Sequence, residues 1–200
     1  MGNKPDVTKE ALMEERDSTM DHCIKVNDIM QCVANQVNAR RKKHDRSKFS
    51  KEELPYFAAA NDLKKTDYGS KEYEQSLRNL GPALKHHYAN NRHHPEHHKD
   101  GICGMSLVDV IEMLCDWLAA GMRHGEGHNI FKSINFNRMR FKISHQMACM
   151  MWNTAIDVFG EEPEEGYEMT PIAVCIECDE WQDGQNPECV KCGCKQLREV

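Results

Sequence analysis

Apolar residues recur at helical spacing along most of the chain before residue 160. Val26, Met30 and Val33 are three or four residues apart, which places them on one face of a helix that begins near Ser18. No alternating strand pattern occurs before about residue 167. We therefore predict an all-α main domain. Further helices are predicted over residues 50–60, 71–80, 83–88, 107–123, 129–140 and 145–159.

Capping residues mark the start of two of these helices. Ser50 with Glu53, and Ser106 with Asp109, each place a hydroxyl before a helix and a carboxylate three residues later. The Gly81-Pro82 pair interrupts the helical pattern. We therefore expect helices to begin after Ser50 and Ser106, and the chain to break its helix at Gly81.

Two polar residues are predicted to face the protein interior. His22 lies one turn before Val26 on the same apolar stripe, so we expect it to point towards the core. Asp116 lies opposite the main apolar stripe of its helix, beside Met113 and Ala120. Because that helix has apolar residues on both sides, the carboxylate of Asp116 is predicted to be buried.

The charge balance limits the partners that the chain can attract. Its 26 Lys and Arg and 32 Asp and Glu give 200 residues a net charge of -6, which does not favour nucleic acid or an anionic membrane. No apolar run approaches the roughly 18 residues that span a bilayer, and the N-terminus is polar. We expect one main domain with a small appendage, in the cytoplasm.

Five of the ten cysteines lie within the last 26 residues, at the spacing of metal ligands. Two Cys-x-x-Cys pairs separated by ten residues are typical of a tetrahedral Zn(Cys)4 site on a short β-hairpin. A redox pair or disulfides is the alternative, which a reducing cytosol disfavours. Cys194 is a surplus thiol that could replace a ligand. The predicted structural zinc ligands are Cys175, Cys178, Cys189 and Cys192.

These patterns divide the chain into three predicted parts. Residues 1–160 form the helical domain, residues 161–168 form an acidic linker, and residues 169–200 form the zinc ribbon. The ribbon either only stabilises the structure or binds a protein or nucleic acid.

Histidine is concentrated in the middle of the chain. Six of the 11 histidines lie between His86 and His98. Imidazole is the commonest metal ligand, although such a loop can also be solvated and bind metal only adventitiously. The context of the loop favours a metal site, because a helical His and a His-Asp pair precede it and an Asp follows it. In chain order the candidates are His22, His44-Asp45, His86 or His87, His93 or His94, and Asp116.

This order of residues resembles the signature of the HD superfamily of metal-dependent phosphohydrolases. The His44-Asp45-Arg46-Ser47-Lys48 segment is similar to the HDxxK form, in which the Lys meets a substrate phosphate. His93-His94-Pro95-Glu96, Asp100-Gly101 and the final Asp116 follow the order of the HD-GYP subgroup, without its GYP tripeptide. Roughly residues 18–158 also look like a family of short, uncharacterised proteins that is common in bacteriophages. If a phage encodes the chain, the expected compartment is the host cytoplasm.

The resemblance implies an HD-domain-like helical bundle and a role for individual residues. It implies one or two divalent ions, Mn, Fe, Co, Ni or Zn, in the helical domain. Asp45 and Lys48 would be catalytic, and Lys48, Arg46 and Arg92 would bind the substrate phosphate. The implied metal ligands are His22, His44, Asp45, His87, His94 and Asp116.

Three functions fit these residues. The first is a phosphohydrolase that acts on a nucleotide or another small phosphate ester through metal-activated water. The second is an HD-type di-iron oxygenase, which uses the same ligand set. The third is a non-enzymatic adaptor that binds nucleic acid or protein through the ribbon and the basic run from Arg138 to Lys142.

Overall fold

A computed structural model describes residues 5–60, 70–123 and 129–199, without the side chains of residues 72–74, 76 and 77. The chain divides into two compact units, Met1–His44 and Asp45–Val200. The all-α prediction for the main domain is confirmed, and the cysteine-rich end carries a small sheet. The predicted domain boundary at residues 161–168 stays a prediction.

The first unit consists mainly of one long helix, α1 (Lys9–Arg41). The Thr8 hydroxyl caps it by accepting a hydrogen bond from the amide of Ala11 at 3.2 Å. None of the residues of α1, all of which the structure describes, is buried. The prediction that the apolar stripe and His22 face a core is therefore wrong, because helical spacing shows which residues share a face but not what covers them.

The second unit contains five helices within its described residues. α3 changes direction at Gly81, whose φ of 40° lies in the left-handed region, as the Gly81-Pro82 break predicted. Short 3-10 turns connect the helices at Arg46–Phe49, Pro95–His97 and Gly101–Gly104. The helices are α2 (Leu54–Ala59), α3 (Lys71–Asn90), α4 (Leu107–Met122), α5 (Ile130–Phe141) and α6 (His145–Asp157).

One of the two predicted capping boxes forms. Ser106 and Asp109 exchange side-chain and backbone hydrogen bonds at the start of α4, and Arg92 donates two further hydrogen bonds of 3.1 Å to the Asp109 carboxylate. The Ser50–Glu53 box is wrong: α2 begins after Glu53, whose side chain makes no capping hydrogen bond and is fully buried. The Glu53 carboxylate turns instead to histidines of α3.

The hydrophobic core of the second unit lies between α4, α5 and α6. Phe131 is fully buried, and its ring lies 4.5 Å from that of Trp152. Trp152 in turn stacks on Tyr167, from the segment that follows α6. Other buried core residues are Val110, Met113, Leu114, Ile130, Ile134, Ile143, Ala148, Met151 and Ala155.

The segment after α6 is held against α5 by polar contacts. Lys132 forms a 2.6 Å ion pair with Glu164, and the amide of Asn135 donates to the carbonyl of Glu168. The buried guanidinium of Arg138 donates to the Thr170 carbonyl at 2.6 Å. The acidic segment is thus packed on the helices, and Arg138 faces the protein rather than the solvent.

The cysteine-rich end folds as a three-stranded antiparallel sheet, one strand more than the predicted hairpin. Its strands are β1 (Ile172–Cys175), β2 (Trp181–Asp183) and β3 (Leu197–Glu199). β1 lies in the centre, pairing Val174 with Trp181 of β2 and with Arg198 of β3. All four residues of β1 are buried.

Membrane-spanning segments are not found among the helices that the structure describes. None of these helices combines the length and the apolar character that crossing a bilayer requires.

Replacing Phe131 by Ala should lower the free energy of unfolding by about 3–5 kcal/mol, because a fully buried ring is lost from the core. Urea unfolding followed by circular dichroism measures this change. Phe136→Ala on the same helix is the matched control, since Phe136 is 44% exposed and its loss should cost about 1 kcal/mol or less. Equal losses in the two variants would contradict the assignment of the core.

Candidate metal centres

Four cysteines converge at the small sheet. Cys175 ends β1, Cys178 follows in the turn after it, and Cys189 and Cys192 lie on the loop between β2 and β3. The Sγ atoms of Cys175 and Cys192 are 3.6 Å apart, as are those of Cys178 and Cys189. A tetrahedral zinc site with Zn–S bonds of about 2.3 Å sets its sulfurs about 3.8 Å apart. A disulfide would bring them to about 2.0 Å, so the geometry fits a metal and not a bond.

The backbone around Cys189 favours its thiolate form. Backbone N–H groups of Cys192 and Lys191 point at the Cys189 sulfur and lower its pKa to about 6. Cys194 lies outside the cluster, and its sulfur instead accepts a hydrogen bond from the amide of Gln196 at 3.3 Å. The four predicted zinc ligands therefore come together without Cys194.

A second cluster, which we call the His/Asp cluster, is built around Asp45. Asp45 has a positive φ of 54° and precedes the 3-10 turn Arg46–Phe49. Asp is one of the few non-glycine residues that adopts this conformation readily. The turn brings the Lys48 ammonium to 2.6 Å from Oδ2 of Asp45, which leaves Oδ1 to face the histidines.

His87 is held from behind by a buried carboxylate. Its Nδ1 atom lies 2.9 Å from Oε2 of Glu53, and both side chains are buried. The two hydrogens of the Asn91 amide go to the His87 carbonyl and to the Ser47 hydroxyl. Because a carboxylate only accepts, Nδ1 of His87 carries the proton and Nε2 carries the lone pair. Glu53 thus selects the tautomer that can ligate a metal through Nε2.

His93 repeats this arrangement from the loop after α3. Its Nδ1 atom lies 3.3 Å from Oε1 of Glu112 on α4, and its ring is 1% exposed. Its Nε2 atom points the other way, 3.6 Å from Oδ1 of Asp45, while Nε2 of His87 is 3.4 Å from the same oxygen. Two carboxylate-backed imidazoles therefore converge on one oxygen atom.

His94 and Asp116 complete the His/Asp cluster. Nε2 of His94 lies 2.9 Å from Nε2 of His87, so these two nitrogens share a proton unless both lone pairs turn to a cation. The ligand atoms of Asp45, His87, His93 and His94 all lie within 4.8 Å of one another. Oδ2 of Asp116 lies 4.0 Å from Nε2 of His93, and this carboxylate is half-buried rather than fully buried as predicted.

The electrostatics of the His/Asp cluster favour the neutral forms of His87 and His94. Burial, together with the neighbouring His93 and His87, lowers the pKa of His94 to about 3. Burial also lowers the pKa of His87, against the opposite effect of Asp45. For Glu53, hydrogen bonds from His86, Ser47 and His87 outweigh burial and lower the pKa. Neutral imidazoles beside ionised carboxylates form the donor set that a divalent transition metal requires.

The described geometry leaves one predicted metal ligand, His22, outside this cluster. Within the first unit, His22 lies about 28 Å along α1 from the end of the helix at Arg41. Three further residues reach at most about 11 Å, so His22 and His44 of one chain cannot bind the same ion, and this prediction for His22 is wrong. His44 is half-buried and directly precedes Asp45 in the chain. Its role as a ligand stays a prediction.

The predicted phosphate-binding cations have different surroundings. Lys48 lies at the cluster beside Asp45, and Arg46 is exposed on the same turn. Arg92 is held by Asp109 at the start of α4, which gives its guanidinium a structural partner. In the basic run, Arg138 is buried and Arg140 pairs with Glu96. Lys48 is thus the cation seen beside the cluster, and phosphate binding by Lys48, Arg46 and Arg92 stays a prediction.

Sequence reasoning left the choice between His93 and His94 open and missed the two carboxylates behind the histidines, Glu53 and Glu112. Both histidines lie in the cluster, although only His94 was named in the implied ligand set. Glu53 was interpreted as a helix cap, and Glu112 was not considered. The available signal for Glu112 was its position one helical turn before Asp116 on α4, which puts both carboxylates on neighbouring positions of one face.

Comparison with known proteins assigns the helical part of the chain to a family. Residues 12–157 match the family described as "Family of unknown function (DUF5662)". The chain belongs to the DUF5662 family. No curated protein and no solved structure matches it. The DUF5662 match includes the whole His/Asp cluster and ends before the Zn(Cys)4 ligands, so the small sheet is an addition to the family region in this chain.

Replacing Cys178 by Ser should remove about one zinc equivalent from this DUF5662 chain, because a tetrahedral site with three thiolates binds zinc more weakly. Elemental analysis of the purified protein measures the change. Cys194→Ser is the matched control and should keep its zinc, since Cys194 lies outside the cluster. A Cys178→Ser protein with full zinc content would overturn the assignment.

Replacing Glu53 by Gln should weaken Mn²⁺ binding at the His/Asp cluster by about 10–100-fold, because the amide no longer fixes the His87 tautomer. Isothermal titration calorimetry with Mn²⁺ suits this test, since Mn²⁺ prefers oxygen and imidazole ligands to thiolates. Glu52→Gln is the control, because Glu52 is the neighbouring residue and is exposed. Similar affinities in both variants would mean that Glu53 does not support the site.

Proposed function

We propose that this protein is a metal-dependent phosphohydrolase of the HD type that acts on a nucleotide or another small phosphate ester. The observation that carries the proposal is the convergence of the carboxylate-backed His87 and His93 on Oδ1 of Asp45. The order of His44-Asp45, the central histidines and Asp116 along the chain supports an HD-type site.

The donor set favours a reactive site over a structural one. Structural zinc sites are closed and rich in thiolate, as the four-cysteine cluster of this chain is. The His/Asp cluster instead offers nitrogen and oxygen donors, and its carboxylates of Asp45 and Asp116 are 16% and 23% exposed. Solvent can therefore reach its acidic side. Such donors suit Mn, Fe, Co, Ni or Zn, as one ion or two.

Different residues in and around the His/Asp cluster would bind the metal, orient its ligands and bind the phosphate. Asp45, His87, His93, His94 and Asp116 would hold the cation, which supplies the positive charge that activates water and polarises the phosphate. Glu53 and Glu112 orient the imidazoles from behind. Lys48 holds its ammonium 2.6 Å from Asp45 and 36% exposed, where it can neutralise a phosphate oxygen at the edge of the cluster. Arg46, exposed on the same turn, can bind a second oxygen.

With Mn²⁺ or Co²⁺ bound, the protein should release phosphate from a member of a nucleotide panel or hydrolyse a bis-aryl phosphate. Asp45→Asn should reduce the rate to that of the uncatalysed reaction, because the carboxylate on which the imidazoles converge loses its charge. Asp157→Asn is the matched control, an exposed Asp at the end of α6, and should keep the wild-type rate. Circular dichroism checks that both variants are folded.

Metal content separates this proposal from a di-iron oxygenase with the same residues. The protein is purified without oxygen, and its iron, manganese, cobalt, nickel and zinc are measured. Two iron equivalents beyond the ribbon zinc, together with an absorption change on exposure to oxygen and no phosphate release, would replace the hydrolase by the oxygenase. A wild-type protein that binds no metal apart from the ribbon zinc would exclude both the phosphohydrolase and the oxygenase.

A further inference from the structure

We infer that Arg46 and Phe49, which we call the outer face of the 3-10 turn, bind single-stranded nucleic acid, either DNA or RNA. Two observations carry this inference. The turn lies in a basic stretch of the chain, and an exposed cation lies beside an exposed aromatic ring on the turn itself. The inference concerns binding, goes beyond the proposed function and does not depend on hydrolysis at the His/Asp cluster.

The stretch around the 3-10 turn is basic although the chain as a whole is acidic. Residues 40–51 hold seven Lys and Arg and one acidic residue, whereas the net charge of all 200 residues is -6. The macrodipole of α1 accounts for the two cations in the last turn of that helix, because its effect falls off within one turn. It does not account for Arg46, Lys48 and Lys51, which follow the helix. A local excess of positive charge attracts a polyanion even when the net charge does not.

The 3-10 turn has distinct sides, since side chains three residues apart eclipse each other in this type of helix. Arg46 and Phe49 are three residues apart and both are exposed, so a guanidinium and a phenyl ring lie next to each other on one side. Lys48, between them, turns to the His/Asp cluster, where its ammonium lies 2.6 Å from Oδ2 of Asp45. The outer face is therefore separate from the contacts that build the cluster.

Phe49 supplies a ring on which a base can stack. It is 73% exposed, more than any other large apolar residue in the described part of the chain. A single exposed apolar side chain is common on protein surfaces, but a ring among cations is the combination that binds single strands without sequence preference. In such sites the bases stack on the ring and the cations contact the phosphates between them. The outer face has both parts side by side.

The acidic residues next to the 3-10 turn in the sequence leave the outer face positive. Asp45 is paired with Lys48, and the carboxylate of Glu53 is fully buried. Glu52 is exposed and lies 3.8 Å from the Lys51 ammonium. Because an exposed ion pair of this kind is weak, a phosphate can displace it. Lys51 can therefore take part in phosphate binding next to the outer face.

A single strand matches the outer face better than a duplex or a membrane does. In a duplex the bases stack on each other, so they offer no free face to Phe49. A membrane is bound through a broad apolar face that enters the headgroup region, whereas on the outer face a cation accompanies the ring. A flexible strand can also bring a phosphate to Lys48, which is 36% exposed on the adjoining side of the turn.

Binding of labelled oligonucleotides to the full chain tests the role of the cations. Fluorescence anisotropy is measured with oligo(dT) and oligo(U) of about 12 nucleotides, without added Mn²⁺ or Co²⁺, at several salt concentrations. Both should bind the wild type, since DNA and RNA share the phosphates and the base faces. In the double variant Arg46→Gln, Lys51→Gln, the fall of log affinity with log salt should be less steep by about 1.4, because each lost phosphate contact removes about 0.7 for a single strand.

The matched control is Arg123→Gln, Lys195→Gln, which changes the net charge equally. Arg123 is exposed outside the basic stretch, and Lys195 forms an exposed ion pair with Glu188, as Lys51 does with its neighbour. This control should keep the affinity and the salt dependence of the wild type. A wild type that binds neither oligonucleotide at about 50 mM salt, or a control that binds as weakly as the test variant, would overturn the inference.

Phe49→Ala tests the stacking. It should weaken binding to oligo(dT) about five- to a hundredfold with an unchanged salt dependence, because a stacked base is lost and no charge is removed. Phe136→Ala removes an exposed ring outside the basic stretch and should bind like the wild type. Circular dichroism checks that both variants are folded.

Two results would contradict a single-strand site at the outer face. One is equal affinity of the Phe49→Ala and Phe136→Ala variants for oligo(dT). The other is tighter binding of a duplex of the same length, or of phosphatidylserine vesicles, than of the oligonucleotides. Either result leaves the phosphohydrolase proposal intact, since the test measures binding and not phosphate release.

Discussion

The His/Asp cluster depends on one interaction, the contact of the buried Glu53 carboxylate with Nδ1 of His87. A buried carboxylate is costly unless hydrogen-bond donors surround it, and Glu53 meets this need by contacting both His86 and His87. In doing so it turns the lone pair of His87 towards Asp45. Glu112 has a similar position behind His93. The acidic groups behind the imidazoles thus set the direction of the nitrogen atoms in front of them.

The fold serves this site by bringing distant parts of the second unit together. Asp45 and Lys48 come from the 3-10 turn and the residue before it, and Glu53 directly precedes α2. His87 lies in the last turn of α3, and α4 carries Glu112 and Asp116. Arg92 ties the loop that holds His93 and His94 to the start of α4 through Asp109. This bidentate contact therefore joins the ligand loop to the helical frame close to the site, as does the contact of His93 with Glu112.

Local signals in the sequence predicted a large part of this arrangement. Spacing and capping residues predicted the helices of the second unit closely, because Ser106 with Asp109 and the Gly81-Pro82 pair act within a few residues. The grouping of four cysteines followed from their spacing. Glu53 could not be assigned, since its partner His87 is 34 positions away and the same carboxylate also fitted a local helix cap. The prediction that His22 faces a core was wrong for a related reason, because periodicity defines an apolar face but not the element that packs against it.

The order of strands in the cysteine-rich end affects how the folded protein resists aggregation. β1 is an apolar strand with all four residues buried, and a bare edge of it would offer unpaired amide and carbonyl groups to another chain. β3 occupies that edge with only three residues, of which Arg198 and Glu199 are exposed and oppositely charged. The outermost strand is thus short and charged, so it gives a neighbouring molecule a poor template on which to add a strand.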